Sequence, residues 1–482
     1  MIEEPHKPFR SPQVSPMTSR PLTIFFSAGE PSGDLHGANL ITELKRQSPG
    51  FKAIGYGGPK MQAAGCELQA DLTALAVMWF LRALLNIHKF WSYLWQADRC
   101  FREQRPDAVV LIDFPGFNWW IARRAKAHGI PVFYYAPPQI WAWARWRVKK
   151  MRRLVDHVLC ALPFERDWLV ERGCRATLVG HPFFDEVRRH DVASPFRSEE
   201  RTDNRPLVVI LPGSRTQEVK HNLPWFIKAA EQVHRQVPEA RFAIAAFKRQ
   251  HADMASDMLH AAGRKFPVEI HVGRTPVLIS QATCAMAVSG SVSLELMYYR
   301  MPTVILYKIG RVGYFLQQFF RKVKYITLVN LLSVKDPFDP DITPYHPSQA
   351  DAADVLFPEY LTCSDRSADV ARHVIEWLTD STKRSACREA LGDLCERVGH
   401  PGACENAVRL ILADLHSKLA AEAAAAEQQA QPQVSSTETE QAAQAEAPAA
   451  AAKVHDLRPP HFAQREDQET RTDAAARQQW ER

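Results

Sequence analysis

The chain has 482 residues, and 46% of them are hydrophobic, so it can bury the cores of two or three domains. Its formal net charge of +6 is too small to require nucleic acid as a partner, although it suits substrates or lipids that carry phosphate. The nine cysteines include no C-x-x-C pair, which indicates a reducing compartment and argues against a disulfide framework or a zinc site. No apolar stretch reaches the roughly 18–20 residues that a membrane-spanning helix needs.

The first twenty residues are rich in proline, serine and charge and lack the apolar core of a secretory signal. We expect them to form a disordered extension, 1–20. From residue 21 onwards, apolar runs typical of β-strands alternate with helical patterns. The expected strands are 22–27, 53–56, 108–113, 132–136, 157–161 and 177–179, followed by 207–211, 241–246, 268–272, 285–289 and 303–307.

This alternation is typical of parallel sheets covered by helices. Two sets of strands, separated by a polar stretch, predict an α/β protein with two Rossmann-like, doubly wound domains that face a cleft. We expect the first domain at 21–195, a linker at 196–206, and the second domain with its closing helices at 207–415. Alanine, glutamine, glutamate and proline dominate 416–482, which predicts a low-complexity, disordered tail.

The loop after the first expected strand reads SAGEPSGDLHG, at residues 27–37. Ligands of doubly wound folds bind at the carboxyl ends of the strands, where this loop lies. Its spacing fits neither of the phosphate motifs G-x-G-x-x-G and G-x-x-x-x-G-K-[ST]. The alternative is a tight turn in which the aspartate only caps a helix. The candidate substrate-binding residues of this loop are Glu30, Ser32, Gly33, Asp34 and His36.

Another carboxylate, Asp113, follows a strand in the motif LIDFPGFN. It ends an apolar run and precedes a turn, so its side chain can face the cleft. A positioned carboxylate can act as a general base, which contributes roughly 10²–10⁴-fold to a reaction rate. The alternative role for Asp113 is to cap a helix or to brace its loop.

Two stretches of the first domain combine aromatic and basic residues without an acidic one: MWFLRALLNIHKFWSYLW at 78–95 and WAWARWRVKKMRR at 141–153. Such stretches can lie in a membrane interface, where each basic residue contributes about 1 kcal/mol of attraction to anionic lipid. The alternative is a core helix with a solvated, charged face. Nucleic acid is not expected, because no nucleic-acid-binding fold accompanies the basic run. The candidate membrane-facing residues are Trp79, Phe80, Arg82, Leu85, Lys89, Trp146, Arg147, Lys149 and Lys150.

The motif LPGSRTQEV follows the first expected strand of the second domain. Gly213 and Ser214 offer backbone amides, and Arg215 offers a guanidinium fork. Together these groups suit a pyrophosphate and could stabilise a nucleoside diphosphate as a leaving group. The alternative is an exposed arginine after an ordinary turn.

The motif SGSVSLE repeats this arrangement after a later strand. Ser289, Gly290 and Ser291 open a helix, so their amides also suit phosphate. Glu295 lies about one turn into that helix. An Asp-x-Asp pair at 339–341 lies in the proline-rich stretch KDPFDPDITPYHP, and we do not expect a metal site there.

Taken in order, these motifs resemble the sequences of lipid-A-disaccharide synthases. The resemblance covers about residues 21–412, and the ordered set is specific although each motif is modest. It implies the GT-B fold of inverting glycosyltransferases, in which two Rossmann-like domains face a cleft. Besides the motifs above, it includes GYGGPKMQAAGCE, RPDAVVLIDFPGFN, YYAPPQIWAW, LPFERDWL, VGHPFFDEV and SGSVSLELMYYRMPTVILYK.

The resemblance implies that UDP-2,3-diacylglucosamine reacts with 2,3-diacylglucosamine 1-phosphate (lipid X) to give a β-1′,6-linked disaccharide 1-phosphate and UDP. It implies no cofactor and no metal, because GT-B enzymes offset the charge of the leaving group with amides and basic side chains. It also implies a peripheral location on the cytoplasmic face of the inner membrane, and it leaves a homodimer open. The alternatives are another GT-B UDP-sugar enzyme with a different lipid acceptor, an epimerase, or a non-catalytic membrane-binding relative.

The resemblance also implies roles for single residues. Asp113 matches the general base of the family, with Glu30 or His36 in reserve. Glu295 would hold the ribose hydroxyls. A later segment, LVNLL, would contact the nucleotide through Asn330 and Leu331.

The chain departs from the family pattern at two positions of the apolar stretch 78–95. Trp79 and Arg82 stand where the family has glycine and glutamate. A different acceptor, a changed membrane contact and a loss of activity are three interpretations that stay open. The extension, an insertion near Asp336 and the tail are additional segments that do not touch the nucleotide motifs.

Overall fold

The computed structural model of the chain describes residues 21–73, 87–193, 204–263, 266–349 and 351–430. Both sheets lie in one unit, Met1–Leu419. Ala420–Arg482 forms a second unit, in which the described residues are helical and end at Ala430. The expected extension 1–20, most of the expected linker and the tail after residue 430 lie outside the described residues.

The first sheet has seven parallel strands in the order β3-β2-β1-β4-β5-β6-β7. Its inner strands are almost completely buried, which explains why they are continuous apolar runs in the sequence. The strands are β1 Thr23–Ala28, β2 Lys52–Gly57, β3 Cys66–Asp71, β4 Ala108–Ile112, β5 Val132–Tyr135, β6 His157–Cys160 and β7 Ala176–Leu178.

Helices follow the strands of the first sheet in an alternating order. Several of them begin with a proline, whose fixed φ angle and missing N–H suit the first turn of a helix. They are α1 Pro31–Gln47, α2 Pro59–Ala63, α3 Ile87–Glu103, α4 Pro115–Ala127, α5 Ile140–Trp143, α6 Val148–Leu154, α7 Pro163–Val170 and α8 Pro182–Ala193, with a 3-10 turn at Arg145–Arg147.

The second sheet has six parallel strands in the order β10-β9-β8-β11-β12-β13. The strands are β8 Leu207–Leu211, β9 Arg241–Ala246, β10 Val268–Val272, β11 Cys284–Ala287, β12 Thr303–Lys308 and β13 Glu359–Thr362. The helices are α9 Thr216–Gln236, α10 Arg249–Ala261, α11 Thr275–Gln281, α12 Val292–Tyr298, α13 Arg311–Phe320, α14 Leu328–Ser333, α15 Ser367–Thr379, α16 Ser381–Val398 and α17 Ala403–Ala430, with a 3-10 turn at Ala352–Asp354.

The structure confirms the expected α/β fold with two doubly wound parallel sheets. The sequence analysis missed two strands, β3 and β13, and both lie at the edge of a sheet. Only Cys66 of β3 is buried, so this strand has no apolar run. The four residues of β13 include a buried glutamate, Glu359, which also hides the strand from pattern analysis.

The helix α17 returns from the second sheet to the first. Its residues Val408 and Ile411 belong to the same buried cluster as Phe26 of β1. Asp414 of α17 contacts Nδ1 of His157 on β6 at 2.8 Å. The structure therefore differs from the expected division, which assigned 403–415 to the second domain and began a disordered tail at 416. A helical pattern shows an apolar face, but it does not show which sheet that face covers.

Every described helix is too short or too polar to cross a lipid bilayer.

We predict that the junction between α8 and α17 depends on Asp185. Its buried carboxylate accepts hydrogen bonds from the N–H groups of Gly402, Ala403 and Cys404, the last at 2.8 Å. We expect Asp185→Ala to lower the free energy of unfolding by about 2 kcal/mol, because buried N–H groups lose a charged acceptor.

The matched control is Asp380→Ala, which removes the cap of α16 at the protein surface. We expect it to lower the free energy of unfolding by about 1 kcal/mol. Urea titration followed by circular dichroism measures both variants. A loss for Asp185→Ala no greater than that for Asp380→Ala would contradict the prediction.

Candidate active site

The sequence motifs lie at the switch points of the two sheets, where the strand order reverses. In the first sheet β1 lies beside β4, with Ala28 paired to Ile112. In the second sheet β8 lies beside β11, with Leu211 paired to Ala287. The loops after these four strands and the helices that they open carry the expected substrate-binding and catalytic residues and the expected UDP-binding residues, except Asn330 and Leu331, which lie in α14. Doubly wound folds bind ligands in the crevice at such positions.

Asp113 begins a turn of unusual backbone geometry. Asp113 and Phe114 both have a φ of 45°, which is strained for residues other than glycine. The carbonyl oxygen of Asp113 accepts hydrogen bonds from Nδ2 of Asn118 and from the hydroxyl of Tyr134, each at 2.7 Å. Both donors are fully buried. The surrounding protein therefore holds this turn in one conformation.

Asn118 also connects the turn to the loop after β1. Its Oδ1 accepts a hydrogen bond from the Ser27 hydroxyl at 2.7 Å, and its Nδ2 lies 3.2 Å from the Ser27 carbonyl oxygen. The ring of Phe114 packs over Gly29, where a Cβ atom would lie only 2.3 Å from the ring. The loops that carry Glu30 and Asp113 are thus fixed to each other.

The charges around Asp113 extend from the first sheet to the second. Burial, followed by the negative charge of Glu30, raises the pKa of Asp113 to about 6. The backbone N–H of Phe114 and the guanidinium of Arg215 oppose this rise in the pKa of Asp113. Glu30, Asp113 and Arg215 therefore lie within electrostatic range of one another. A carboxyl group with this pKa can accept a proton near neutral pH.

The side chain of Asp34 is occupied by the first domain itself. Its carboxylate accepts hydrogen bonds from the N–H groups of Gly58 and Met61, at 2.8 and 2.9 Å, and from that of Lys60. It is buried and caps α2 rather than its own helix. The capping alternative of the sequence analysis thus describes Asp34, and its expected contact with substrate has no structural support.

The other residues of this loop differ in exposure. Ser32 is exposed, whereas Gly33 is buried against Ile112. Burial lowers the pKa of His36 to about 4, and its buried Nδ1 has no hydrogen-bond partner among the described residues. The imidazole is therefore neutral at neutral pH and is a weaker base than the carboxylate of Asp113.

A histidine that was not singled out from the sequence lies close to His36. Burial, followed by the proximity of His36, lowers the pKa of His181 to about 3. Nδ1 of His181 accepts a hydrogen bond from the N–H of Phe183 at 3.2 Å. The motif VGHPFFDEV contains His181, but the sequence alone does not show that β7 delivers it to the loop after β1.

The loop after β8 is arranged around Glu218, which the sequence analysis also missed. The carboxylate of Glu218 accepts hydrogen bonds from the N–H groups of Ser214 and Arg215, at 3.1 and 3.2 Å. It also contacts the guanidinium of Arg215 at 3.1 Å. A Cβ at Gly213, where φ is 116°, would lie 2.6 Å from Glu218. These donors are therefore directed at an anionic group. A glutamate three residues after the residue that caps a helix is the capping-box pattern, so the spacing of Arg215 and Glu218 was a signal in the sequence.

The loop after β11 provides exposed backbone and one carboxylate. Gly290 and Ser291 are exposed, whereas the hydroxyl of Ser289 donates to the carbonyl of Ile326 at 3.0 Å. Burial raises the pKa of Glu295 to about 7. Within the described part of the chain its carboxylate has no hydrogen bond or ion pair, which leaves it able to bind hydroxyl groups of a ligand.

Asn330 and Leu331 lie in the interior of the second domain. The side chain of Asn330 exchanges hydrogen bonds with the backbone of Phe357, at 2.8 and 3.0 Å, and donates to Glu359. Leu331 is buried in the core. Both side chains are held inside the domain and stabilise the fold. Their expected contact with the nucleotide stays a prediction, and the direction of these side chains does not support it.

The stretch near Asp336 contacts the first domain. Phe338 packs on Trp141, Phe164 and Trp168 of the first domain, with ring centroids 6.1, 5.9 and 6.3 Å apart. The Asp-x-Asp pair forms local turns, because each of its carboxylates accepts the N–H two residues later. In the described ranges no group of three His, Cys, Asp or Glu side chains is arranged to hold a metal ion.

The candidate membrane-facing residues are described only in part. Trp79, Phe80, Arg82 and Leu85 lie outside the described residues. Arg147 is half-buried, and its guanidinium carbon lies 5.0 Å from the centroid of the Trp143 ring. The other described candidates are exposed, and they are Lys89, Trp146, Lys149 and Lys150.

Comparisons with known proteins show the family to which the chain belongs. The family model described as "Lipid-A-disaccharide synthetase" matches residues 24–356. The lipid-A-disaccharide synthase of Trichlorobacter lovleyi is 31% identical over 82% of this chain and 97% of its own length. That of Myxococcus xanthus is 30% identical over 82% of this chain and 98% of its own length.

The chain belongs to the lipid-A-disaccharide synthase family. It is a glycosyltransferase of lipid A biosynthesis.

Solved structures share the fold of this lipid-A-disaccharide synthase family member at low sequence identity. UDP-GlcNAc 2-epimerase from Neisseria meningitidis bound to UDP-GlcNAc has a TM-score of 0.52 at 12% identity, over 82% of this chain and 99% of that one. CalG4, the calicheamicin glycosyltransferase, has a TM-score of 0.50 at 14% identity, over 83% and 99% of the two chains. These similarities confirm the GT-B type of fold.

We predict that Glu30 controls the acidity of Asp113. In Glu30→Gln a negative charge beside Asp113 is lost, so the pKa of Asp113 should fall below its value of about 6. The measurement is a pH titration of the carboxyl ¹³C shift in protein labelled at aspartate, with the signal assigned by its loss in Asp113→Asn.

Glu43→Gln is the control, since Glu43 lies in α1, the helix that Glu30 precedes, and pairs there with the exposed Arg46. We expect it to leave the pKa of Asp113 unchanged. Equal titrations of the Glu30→Gln and Glu43→Gln proteins would refute the assigned role of Glu30.

Proposed function

We propose that this glycosyltransferase condenses UDP-2,3-diacylglucosamine with 2,3-diacylglucosamine 1-phosphate to give the β-1′,6-linked disaccharide 1-phosphate and UDP. The observation that carries the proposal is the environment of Asp113. Its carboxyl lies at the switch point of the first sheet, has a pKa of about 6, and lies within electrostatic range of Arg215 of the second sheet.

In the proposed reaction, the 6-hydroxyl oxygen of the acceptor forms a bond to the anomeric carbon of the donor. The bond between that carbon and the diphosphate oxygen breaks, and UDP departs with the electron pair. Asp113 accepts the hydroxyl proton, so its carboxylate becomes neutral. The corresponding negative charge appears on UDP as it leaves, and the total charge is unchanged. Attack from the face opposite UDP produces the β linkage. Such positioned proton transfer accounts for roughly 10²–10⁴-fold of the rate.

The second domain would hold the nucleotide. The N–H groups of Ser214 and Arg215 donate to the carboxylate of Glu218, and an anionic diphosphate would replace that carboxylate as their acceptor. The guanidinium of Arg215 would offset the charge that develops on UDP without a metal ion. The exposed backbone of Gly290 would add a contact to phosphate, and the carboxylate of Glu295 would accept hydrogen bonds from the ribose.

The proposal includes peripheral binding to the cytoplasmic face of the inner membrane, because both substrates are acylated lipids. Exposed Trp146, Lys149 and Lys150 support a contact with anionic lipid. Trp79 and Arg82 would belong to the same surface. A homodimer is compatible with the proposal but is not needed for it.

The decisive test is UDP release from purified protein given both lipid substrates in detergent micelles, with each substrate omitted in turn. We expect release only when both are present, together with a disaccharide phosphate in the mass spectrum. In Asp113→Asn the release rate should fall by roughly 10²–10⁴-fold, because no base accepts the proton. The affinity for UDP, measured by calorimetry, should remain.

No release by wild-type protein that binds UDP would contradict the proposed reaction and favour a different acceptor or a non-catalytic relative. Epimerisation of the donor without acceptor would favour an epimerase. Unchanged turnover in Asp113→Asn would remove Asp113 from the role of base.

We also predict that Tyr134 acts as a positioning residue for Asp113. In Tyr134→Phe the carbonyl of Asp113 loses one of its two side-chain donors, so the strained turn relaxes and the carboxylate shifts. We expect kcat to fall about tenfold with little change in KM, because the substrate contacts stay in place.

Tyr135→Phe is a matched control, since Tyr135 is the next residue of β5 and is also fully buried. Its hydroxyl contacts Sγ of Cys404, on the opposite face of the sheet. Both variants should lose similar stability in thermal unfolding, but only Tyr134→Phe should lose kcat. Equal kcat values in the two variants would contradict the positioning role.

A further inference from the structure

The helix α13 carries a long apolar stripe on its outer surface. Its exposed residues follow the spacing i, i+3, i+4, i+7 and i+8, which places them on one face of a helix. Their exposed fractions run from 48% to 73%, and none of the ten residues of α13 is buried. The stripe consists of Val312, Phe315, Leu316, Phe319 and Phe320.

This orientation is the reverse of that in an ordinary surface helix. The half-buried residues of α13 are Tyr314 and Gln317, which have polar groups, whereas the phenylalanines point away from the protein. A surface helix normally turns its apolar stripe toward the core. Exposed apolar patches with a polar rim mark sites of interaction with another molecule or a membrane.

The end of α13 is held firmly against the second domain. Arg321 is buried, and its guanidinium donates to the side chain of Gln317 at 2.8 Å and to the carbonyl of Ile342 at 2.6 Å. It also donates to the carbonyl of Val323 at 3.0 Å. The exposed stripe therefore belongs to an anchored helix.

The residue after this end of α13 contacts a segment of the first domain that carries two exposed tryptophans. The N–H of Lys322 donates to the carbonyl of Ala142 at 2.7 Å, and the guanidinium of Arg145 donates to the carbonyl of Lys322 at 2.7 Å. Trp143 and Trp146 flank these contacts and are 45% and 59% exposed. The stripe of α13 and these two indoles are called the α13 surface below.

The exposed charged residues at the two ends of α13 are basic. The sequence contains no aspartate or glutamate between Glu295 and Asp336, or between Asp113 and Asp156. Arg311 begins α13 and Lys322 follows its end, and both are exposed, as are Lys149 and Lys150 of the first domain. Asp336 is the acidic residue that lies within electrostatic range of Arg145. Basic residues around exposed aromatic rings complement the headgroups of an anionic bilayer.

A second copy of the chain fits this surface less well. A symmetric contact would place the same patch on both subunits, so that the basic rims would face each other. Like charges placed opposite one another disfavour such an interface. An anionic bilayer instead neutralises the rim while it covers the apolar stripe.

We propose that the α13 surface docks on an anionic lipid bilayer. This inference deepens the proposed function and rests on it for the lipid nature of the substrates, although docking itself requires no turnover. It extends the membrane contact from the first domain to a helix of the second. Both domains would then rest on one bilayer surface, and the lipid substrates would be taken from there.

The test is co-sedimentation of the full chain with vesicles, in the absence of substrates. The vesicles contain phosphatidylglycerol with phosphatidylethanolamine, or phosphatidylcholine alone. The double variant Phe315→Gln with Phe319→Gln keeps good helix formers at exposed positions, so it should fold. We expect its partition coefficient on anionic vesicles to fall by about tenfold or more, because two apolar side chains no longer insert.

The matched control carries Phe247→Gln with Val272→Gln, which removes two exposed apolar side chains that lie outside the α13 surface. Its partition coefficient should stay within about twofold of the wild-type value, since these residues would not meet the bilayer. Lys149→Gln with Lys322→Gln should reduce binding to anionic vesicles and leave the weak binding to phosphatidylcholine unchanged. Thermal unfolding shows that each variant is folded.

Equal binding by the α13 variant and its control would overturn the proposal. A change from dimer to monomer in light scattering, with vesicle binding unchanged, would assign the surface to a second copy instead. A raised KM for micellar substrates with vesicle binding unchanged would assign it to substrate acyl chains. If wild-type protein binds vesicles through α13 but releases no UDP from the two substrates in micelles, the docking stands and the proposed reaction fails.

Discussion

The hydrogen bonds of Asn118 hold together the ends of two strands at the switch point of the first sheet. Its amide nitrogen donates to the carbonyl of Asp113, and its oxygen accepts from the hydroxyl of Ser27. Because the side chain is fully buried, each unpaired polar group would cost about 1–3 kcal/mol. The spacing between the loops of Glu30 and Asp113 follows from this constraint. Burial is the main cause of the raised pKa of Asp113, and the further contribution of Glu30 depends on that spacing.

The position of Arg215 and the other site residues of the second domain depends on contacts between segments far apart in the chain. Phe338 of the second domain enters an aromatic cluster around Trp141, and the backbone of Lys322 pairs with that of Ala142. In the other direction, α17 leaves the second domain and packs on the first sheet. These contacts bring Arg215 within electrostatic range of Asp113. They also put the exposed stripe of α13 beside Trp143 and Trp146.

Much of the fold was predictable because buried parallel strands are local apolar runs. The inner strands of both sheets and the loops after them were found in this way, and the ordered motifs identified the family. The edge strand β3 escaped because only one of its residues is buried, and β13 escaped because its four residues include the buried Glu359. Asp34 shows a second limit: its three N–H partners lie more than twenty residues later, so its capping role could not be read from the spacing within its own loop.

The sequence by itself determined the two doubly wound sheets, the family, and the positions of the loops that carry Asp113 and Arg215. Each of these properties is encoded in a continuous stretch of chain, as periodicity or as an ordered motif. Only the tertiary structure decided which polar groups stay free for a ligand. The side chains of Asp34 and Asn330 are hydrogen-bonded to backbone groups, whereas the carboxylate of Glu295 has no such partner in the described part of the chain. The reason is physical: a hydrogen bond or a pKa shift depends on the distance between side chains, and folding sets that distance independently of their separation in sequence.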